Sequence, residues 1–121
     1  MTIQECYEKL GGNYSEALGR MIRPELVEKF LAGFLKDDSY EMLCREVSAG
    51  NREEAFRAAH TLKGVCLNLG LGTLAASASK ITEVLRPKTE VISGEAAVLL
   101  EEVRKDYQAA EEAIRAYLES R

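Results

Sequence analysis

The stretch Asn51–Gly70, NREEAFRAAHTLKGVCLNLG, decides the fold and holds the only histidine of the chain, His60. An α-helix advances about 100° per residue, so each side chain of this stretch has a defined angular position relative to His60. The small and apolar side chains fall about 100° or more away from it and form a stripe of the kind by which helices pack. These side chains are Ala55, Ala58, Ala59, Leu62, Val65, Cys66 and Leu69. The stretch therefore predicts a packed helix with His60 near the middle of its outward face.

The outward face around His60 differs in composition from an ordinary solvated surface. Lys63, one turn later, places a cation beside the imidazole, and Gly64 leaves space beside the ring. A glycine inside a helix costs about 1 kcal/mol relative to alanine, and core packing does not explain one on the outward side. Phe56 and Leu67 add apolar surface to the same face. A surface histidine without function remains an open interpretation at this point.

An exposed imidazole on a rigid helix suits some chemistries better than others. Acid–base catalysis needs a pocket, an orienting partner and excluded water. The sequence has no glycine-rich phosphate loop, no Walker motif and no carboxylate cluster linked to His60. Accepting a phosphoryl group from a partner protein requires an exposed neutral ring nitrogen, room for the incoming site and a nearby cation. His60, Gly64 and Lys63 supply these in that order, and Arg57 would add positive charge.

Composition and charge argue against several other classes of protein. The chain has 121 residues, 46% hydrophobic and 30% charged, which fits one folded domain over residues 1–121. A net charge of −4 argues against a general binder of nucleic acids or anionic membranes. No apolar run approaches the roughly 20 residues of a membrane span, and the N-terminus lacks a signal-peptide pattern. We therefore expect a cytoplasmic protein.

The three cysteines do not predict a disulfide or a metal site. Cys6, Cys44 and Cys66 are odd in number and lack CxxC spacing, which indicates free thiols in a reducing compartment, with Cys66 in the core. A zinc site would need better-grouped ligands than three scattered cysteines and one outward histidine. We expect neither a metal nor a cofactor.

The rest of the chain has the periodicity of further amphipathic helices. Residues 2–21 predict one or two short helices, broken at Gly11-Gly12, that cap one end of a bundle. The main helices are predicted at about 24–49 (kinked or split near residue 38), 51–70, 73–86 and 94–119. Short connections favour antiparallel neighbours. The sequence therefore predicts an all-α fold, an antiparallel up-down four-helix bundle with a short N-terminal cap.

Local patterns also predict where these helices begin and end. Asn51, with Glu54 three residues later, has the pattern of a capping box for the central helix. Thr73 is the expected N-cap of the next helix. Gly50 suits the C-terminal end of the helix before Asn51, and Gly70 allows a tight reversal after the central helix.

The segment AAHTLKGVCLNLG resembles the phosphorylation-site signature of histidine-containing phosphotransfer (HPt) domains. The core pattern of that family is H-x-L-K-G followed by a glycine six residues later, here His60, Leu62, Lys63, Gly64 and Gly70. The similarity covers most of the chain. It extends back through FLKD…AGNREEAFRAAHTLKG and forward through the layout L-x-x-L-A-x-x-A-x-x-I.

This resemblance implies a four-helix bundle that accepts a phosphoryl group on His60. The group would be exchanged with an aspartate of a response-regulator receiver domain, free or within a hybrid sensor histidine kinase. The receiver, with its Mg²⁺, would supply the catalysis, so the chain itself is not expected to be an enzyme. Lys63 would stabilise the phosphohistidine, and Gly64 would let the receiver approach. The other docking residues would be Phe56, Arg57 and Leu67.

The chain departs from the family pattern at one position on the following helix. Many HPt domains place a glutamine there, hydrogen-bonded near the histidine, and the matching residue here is Thr82. Its hydroxyl would serve a reduced version of that role. Two other functions remain open: a non-phosphorylated interaction module that uses the same outward face, and a stand-alone enzyme with His60 as its base.

Overall fold

The structure is a computed structural model that describes all residues from Met1 to Arg121 and contains seven α-helices. The helices are α1 (Ile3–Leu10), α2 (Tyr14–Met21), α3 (Pro24–Phe34), α4 (Ser39–Ser48), α5 (Arg52–Asn68), α6 (Gly72–Leu85) and α7 (Gly94–Glu119). This arrangement confirms the all-α class. The first predicted bundle helix is split, because residues 35–38 separate α3 from α4. None of the helices is both long enough and apolar enough to cross a membrane.

Helices α4 to α7 form the four-helix bundle. Each of them packs against the next in chain order, and α7 closes the bundle by contacting α4.

Gly50 ends α4 with a φ of +73°, a left-handed conformation that suits glycine, as predicted for that position. The 28 buried hydrophobic residues form a single core to which all seven helices contribute. One face of α5 is committed to this core, which leaves its opposite face to solvent.

Helices α1 and α2 cover the end of the bundle at which α5 turns into α6. The buried hydroxyl of Tyr7 donates a hydrogen bond to the Leu69 carbonyl at 2.7 Å. The N–H of Asn13 donates to the Gly70 carbonyl at 2.8 Å. Gly70 has a φ of +67°, and a Cβ there would lie 2.4 Å from the Asn13 carbonyl oxygen, so both conformation and close approach require glycine. The predicted cap over one bundle end is confirmed.

Asn51 is the N-cap residue of α5, as predicted, but the capping box expected there is absent, and the N-cap expected at Thr73 is wrong. Asn51 precedes α5, but its side chain accepts no hydrogen bond from the first turn, so it forms no capping box with Glu54. Helix α6 begins at Gly72, one residue before the expected cap Thr73. The hydroxyl and the N–H of Thr73 donate instead to the Gly11 carbonyl, at 2.9 and 3.0 Å. Thr73 therefore forms a tertiary contact with the turn after α1 and does not cap α6.

Candidate functional site

Helix α5 places His60 on its exposed face, as its angular position predicts. Six of the seven positions predicted to face the core are buried, and the seventh, Val65, is half-buried. The ring of His60 lies 6.0 Å from that of Phe56, centroid to centroid, at a tilt of 41°. The imidazole forms no hydrogen bond with another protein group, since none of the side-chain hydrogen bonds of the molecule includes it. A lone pair on this ring is therefore accessible from solvent.

Lys63 and Gly64 lie one turn beyond His60. Lys63 takes part in none of the eight ion pairs of the protein, so its ammonium is not held by a carboxylate. A Cβ added at Gly64 would meet no atom within 4 Å, and the backbone there is ordinary helix. Neither packing nor conformation requires glycine at this position, and its cost to helix stability is about 1 kcal/mol. The effect of this glycine that is left to consider is the open space it leaves beside the His60 ring.

Arg57, the other predicted cation of this face, is exposed but paired. Its guanidinium lies 2.9 Å from the Glu53 carboxylate and 3.4 Å from that of Glu54. Both partners are on α5 itself, at the spacings that place helical side chains together. Arg57 therefore adds little net positive charge near His60, although it stays on the predicted face.

Helix α6 contributes two side chains that the sequence did not indicate. The Arg86 guanidinium lies over the Phe56 ring, 5.2 Å from its centre, and is held there by two 3.0 Å hydrogen bonds to Glu83. These hydrogen bonds lower the pKa of the Glu83 carboxyl, and the charge of Lys63 lowers it further. The signal that would have found them is the tight turn at Gly70, which folds α6 back along α5. Exposed residues of α6 thereby flank the outward face of α5.

Thr82 does not face His60. Its side chain is fully buried, and its hydroxyl donates a 2.6 Å hydrogen bond to the Ala78 carbonyl in the same helix. The structure therefore does not support the hydrogen-bonding role near the histidine that the resemblance assigned to Thr82. Its burial was readable from the sequence, because Thr82 lies four residues after Ala78 and three before Leu85, on the apolar stripe of α6.

His60 itself lines none of the four principal cavities of the molecule. A cavity of about 530 Å³ is lined by Phe56, Arg57 and Arg86, and another of about 620 Å³ lies between α2, α3 and the end of α5. No group of three or more histidine, cysteine and carboxylate side chains has a metal-binding arrangement. An exposed imidazole outside any cavity is accessible to a large partner as well as to a small molecule.

Comparison with known protein families decides what kind of bundle this is. The sequence profile of the Hpt domain matches residues 25–119, most of the chain, and the match includes all of α4 to α7. The chain belongs to the Hpt domain family. Hpt domains are helical phosphocarrier modules of two-component signalling that interact with response regulators or kinases. Searches of curated proteins and of solved structures found no match to this chain.

Within this Hpt domain we call the outward surface of α5 the His60 face. It consists of His60 and of Phe56, Lys63, Gly64 and Leu67, each of which lies within about 60° of His60 around the helix axis. Leu67 is 44% exposed, and Phe56 is half-buried beneath Arg86. The helix thus presents one nucleophile, one unpaired cation, one open position and two apolar side chains on a single surface. Helices α1 and α2 lie outside the matched residues.

Proposed function

We propose that this Hpt domain is a phosphorelay intermediate that carries a phosphoryl group on His60. The group is exchanged with an aspartate of a response-regulator receiver domain, free or within a hybrid sensor histidine kinase. One observation carries the proposal: the only histidine of an Hpt domain lies exposed in the His60 face, free of hydrogen bonds to other protein groups. The chain is a phosphocarrier rather than an enzyme in this proposal.

The transfer needs little from the bundle beyond a well-placed nucleophile. A neutral imidazole has a lone pair on one ring nitrogen, which attacks the phosphorus of the receiver's aspartyl phosphate. The N–P bond forms as the acyl P–O bond breaks, and the aspartate leaves as a carboxylate. Phosphoryl transfer of this kind depends on alignment and on charge stabilisation. The receiver and its Mg²⁺ supply most of both, which is consistent with the simple surroundings of His60.

Lys63 and Gly64 support the same step in different ways. The ammonium of Lys63 sits on a flexible stem one turn from His60, and ammonium groups form strong charge-assisted hydrogen bonds with phosphoryl oxygens. Lys63 is unpaired, so binding the phosphoryl group breaks no existing ion pair. The open space at Gly64 lets the receiver approach the ring. Phe56 and Leu67 supply apolar contact, and Arg57 lies at the rim.

The proposal takes residues 1–121 as one functional domain in the cytoplasm. The core shared by all seven helices supports a single unit. The three cysteines are free thiols, which agrees with a reducing compartment.

The experiment that tests the proposal is phosphotransfer from phosphorylated receiver domains. A panel of receivers from the same organism is labelled on aspartate and mixed with the wild-type protein or with His60→Gln. We expect at least one receiver to label the wild type, and none to label the variant. Circular dichroism provides the control, because His60 is exposed and its replacement should leave helicity unchanged. Labelling of His60→Gln would contradict the proposal, and a wild type without acid-labile phosphate would favour a non-phosphorylated interaction module.

A further inference from the structure

A cavity lined by charged side chains lies between the first turns of α5 and the segment that follows α6, and the proposed phosphoryl transfer does not use it. We call it the basic cavity. Its lining includes four basic side chains, Arg52 and Arg57 from α5 and Arg86 and Lys88 from the segment after α6, but only one apolar side chain, Phe56. Its volume of about 530 Å³ lies within the range of about 300–1,000 Å³ that is usual for small-molecule sites.

The charge of the basic cavity is opposite to that of the molecule. The chain has a net charge of −4, whereas the four basic side chains of the cavity outnumber its two carboxylates, Glu53 and Glu90. Cations that are held close together repel one another, and an anion placed between them relieves that repulsion. A concave surface lined mainly by one sign of charge also concentrates small ions of the opposite sign. The basic cavity therefore favours an anionic ligand.

Arg52 and Lys88 are the two cations of the cavity that no carboxylate neutralises. Neither takes part in any of the eight ion pairs of the protein. Arg52 is half-buried, and its Nη1 donates hydrogen bonds to the carbonyls of Leu85, at 2.6 Å, and of Arg86, at 3.5 Å. These bonds fix the guanidinium between α5 and the end of α6, while its other two nitrogens bind no protein group and keep their N–H donors for a ligand.

Arg57 and Arg86 are already paired, but their partners are exposed. Arg57 lies 2.9 Å from the Glu53 carboxylate and Arg86 lies 3.0 Å from that of Glu83, and all four side chains are more than half exposed. Exposed ion pairs contribute little to stability, whereas hydrogen bonds between a guanidinium and a phosphate are among the strongest in proteins. A phosphate group in the cavity can therefore bind these arginines without a large loss elsewhere.

The lining also indicates which kind of anion fits. Phe56 is the only apolar side chain of the cavity, and the Arg86 guanidinium covers one face of its ring, 5.2 Å from the ring centre. Little apolar surface is left for a hydrocarbon chain or an aromatic ring. The two cations without carboxylate partners come from different segments, since Arg52 begins α5 and Lys88 follows α6. A compact ligand with at least two phosphate groups can contact both of them at once.

We propose that the basic cavity binds a small anion with two or more phosphate groups, either a free diphosphate or the phosphate chain of a nucleotide. Arg52 and Lys88 bind its phosphate oxygens. The site is separate from the phosphoryl group carried by His60, because His60 does not line the cavity. Phe56, however, lines the cavity and belongs to the His60 face, so a bound anion lies at the edge of the surface that a receiver covers. Occupancy therefore slows phosphoryl transfer, and this part of the inference rests on the proposed phosphorelay function.

The test of binding is a titration of the isotope-labelled protein with sodium pyrophosphate, followed by NMR at constant ionic strength and without a metal ion. We expect saturable shifts of the backbone amides at residues 52–57 and 86–90. The dissociation constant should be at least about tenfold lower than that for orthophosphate, which can bridge fewer of the cations. Titrations with ADP and with adenosine distinguish the two sources of the phosphate groups. Tighter binding of ADP than of pyrophosphate would identify a nucleotide, and equal binding with none for adenosine would identify the phosphate groups alone.

Lys88→Gln and Lys105→Gln separate a site from diffuse surface charge. Both remove one exposed lysine that forms no ion pair, but Lys105 lies on α7 and does not line the cavity. We expect Lys88→Gln to raise the dissociation constant for pyrophosphate about tenfold, and Lys105→Gln to leave it within about twofold. Arg52→Gln should weaken binding at least as much as Lys88→Gln. Because Arg52 also bonds to the end of α6, its variant may be less stable, and Lys88→Gln and Lys88→Glu provide the test if it does not fold.

Transfer from a phosphorylated receiver, measured with and without pyrophosphate, tests the effect on His60. Pyrophosphate should slow the labelling of the wild type and, at the same concentration, slow that of Lys88→Gln much less. The comparison between the two proteins is needed because pyrophosphate also binds the receiver's Mg²⁺. Equal slowing of both would attribute the effect to the metal and would reject a role of the cavity in transfer.

Three results would overturn the binding site itself. These are equal affinities for orthophosphate and pyrophosphate, equal weakening by Lys88→Gln and Lys105→Gln, and amide shifts centred on residues 60–64 instead of the cavity. The phosphorelay function fails by a different result, the absence of any receiver that labels the wild type. Binding of pyrophosphate at residues 52–57 and 86–90 would stand in that case, because the titration needs no receiver.

Discussion

Gly64 is the residue whose role separates folding from function most clearly. Its backbone is helical and its surroundings are open, so alanine fits without strain. We predict that Gly64→Ala raises the free energy of unfolding by about 1 kcal/mol, the difference in helix propensity between the two residues. Urea denaturation followed by circular dichroism measures this change.

Gly64→Leu should fold as well as the wild type and still transfer poorly. The leucine side chain would extend into the space that a receiver needs beside His60, and small displacements of reacting groups are costly. We expect the transfer rate from a phosphorylated receiver to fall about tenfold or more, with Gly64→Ala intermediate. Equal rates for the wild type and Gly64→Leu would show that the open space has no role in docking.

The position of a single residue could be predicted from the sequence only where the geometry of its own helix determines it. The exposed position of His60 followed from a rotation of about 100° per residue and needed no partner helix. Glu83 and Arg86 were missed because their place beside Phe56 depends on how α6 packs along α5. Thr82 was assigned from family resemblance, and the apolar stripe of its own helix argued against that assignment. Packing between helices is the information that a single sequence lacks.

At the scale of elements, one buried hydroxyl links α1 to the turn between α5 and α6. Tyr7 donates its hydrogen bond to the Leu69 carbonyl, across 62 positions of the chain. Tyr7→Phe keeps the ring but leaves that carbonyl without its partner, so we predict a loss of about 1–2 kcal/mol of unfolding free energy. Chemical denaturation provides the measurement.

Tyr14→Phe is the matched control for that variant. Tyr14 packs edge-on against Tyr7, with ring centroids 5.5 Å apart, but its hydroxyl forms no hydrogen bond within the protein. Tyr14→Phe should therefore unfold at a denaturant midpoint close to that of the wild type. Both variants should keep the wild-type rate of phosphotransfer. If Tyr7→Phe and Tyr14→Phe were equally stable, the hydrogen bond of the Tyr7 hydroxyl would contribute nothing to stability.

The positions of the helices were largely predictable, and the side-chain hydrogen bonds at their N-termini were not. Apolar periodicity and turn glycines such as Gly50 and Gly70 depend on short stretches of chain, and they located the bundle helices to within a few residues. The cap expected at Thr73 failed because α6 begins one residue earlier, where the Thr73 hydroxyl and N–H donate to the carbonyl of Gly11, far away in sequence. Local sequence patterns predict where a helix lies, but they do not predict the hydrogen bonds at its ends when residues distant in sequence provide the partners.

At the scale of the whole molecule, the burial of cysteine thiols and a tyrosine hydroxyl predicts that the folded state loses stability at alkaline pH. Burial raises the pKa of the Cys66 thiol to about 12 and that of Cys6 to about 11, and it also raises the pKa of Tyr7. The folded state therefore holds these protons more tightly than the unfolded chain does. The resulting stability is complete below the ordinary thiol pKa of 9.0 and is lost as the pH rises through the folded values.

We accordingly predict a melting temperature that is steady from neutral pH to about pH 8.5 and falls between about pH 9 and 11. Thermal unfolding followed at a series of pH values provides the measurement. A Cys66→Ala variant starts from a lower stability, because it loses buried volume, but its decline with pH should be shallower. A flat profile up to pH 11 for the wild type would contradict this account of the core.

The shape of the whole bundle was predictable, but its concave surface was not. Four amphipathic helices with short connections leave few topologies other than an antiparallel bundle. The cavity between α2, α3 and the end of α5 combines residues 20–37 with residues 65–69, which lie far apart in sequence. Each of its exposed apolar residues appears in the sequence as an ordinary member of a helix stripe. Their convergence depends on the tertiary fold alone.

The most direct test of the central claim is to locate the phosphoryl group after reaction with a phosphorylated receiver. We expect a single phosphoryl group per chain, bound through nitrogen, lost in acid and retained in alkali, and assigned to His60 by fragment mass spectrometry. The His60→Gln protein should carry none. A phosphoryl group on any other residue, or on the His60→Gln protein, would contradict the assignment of His60 as the phosphate carrier.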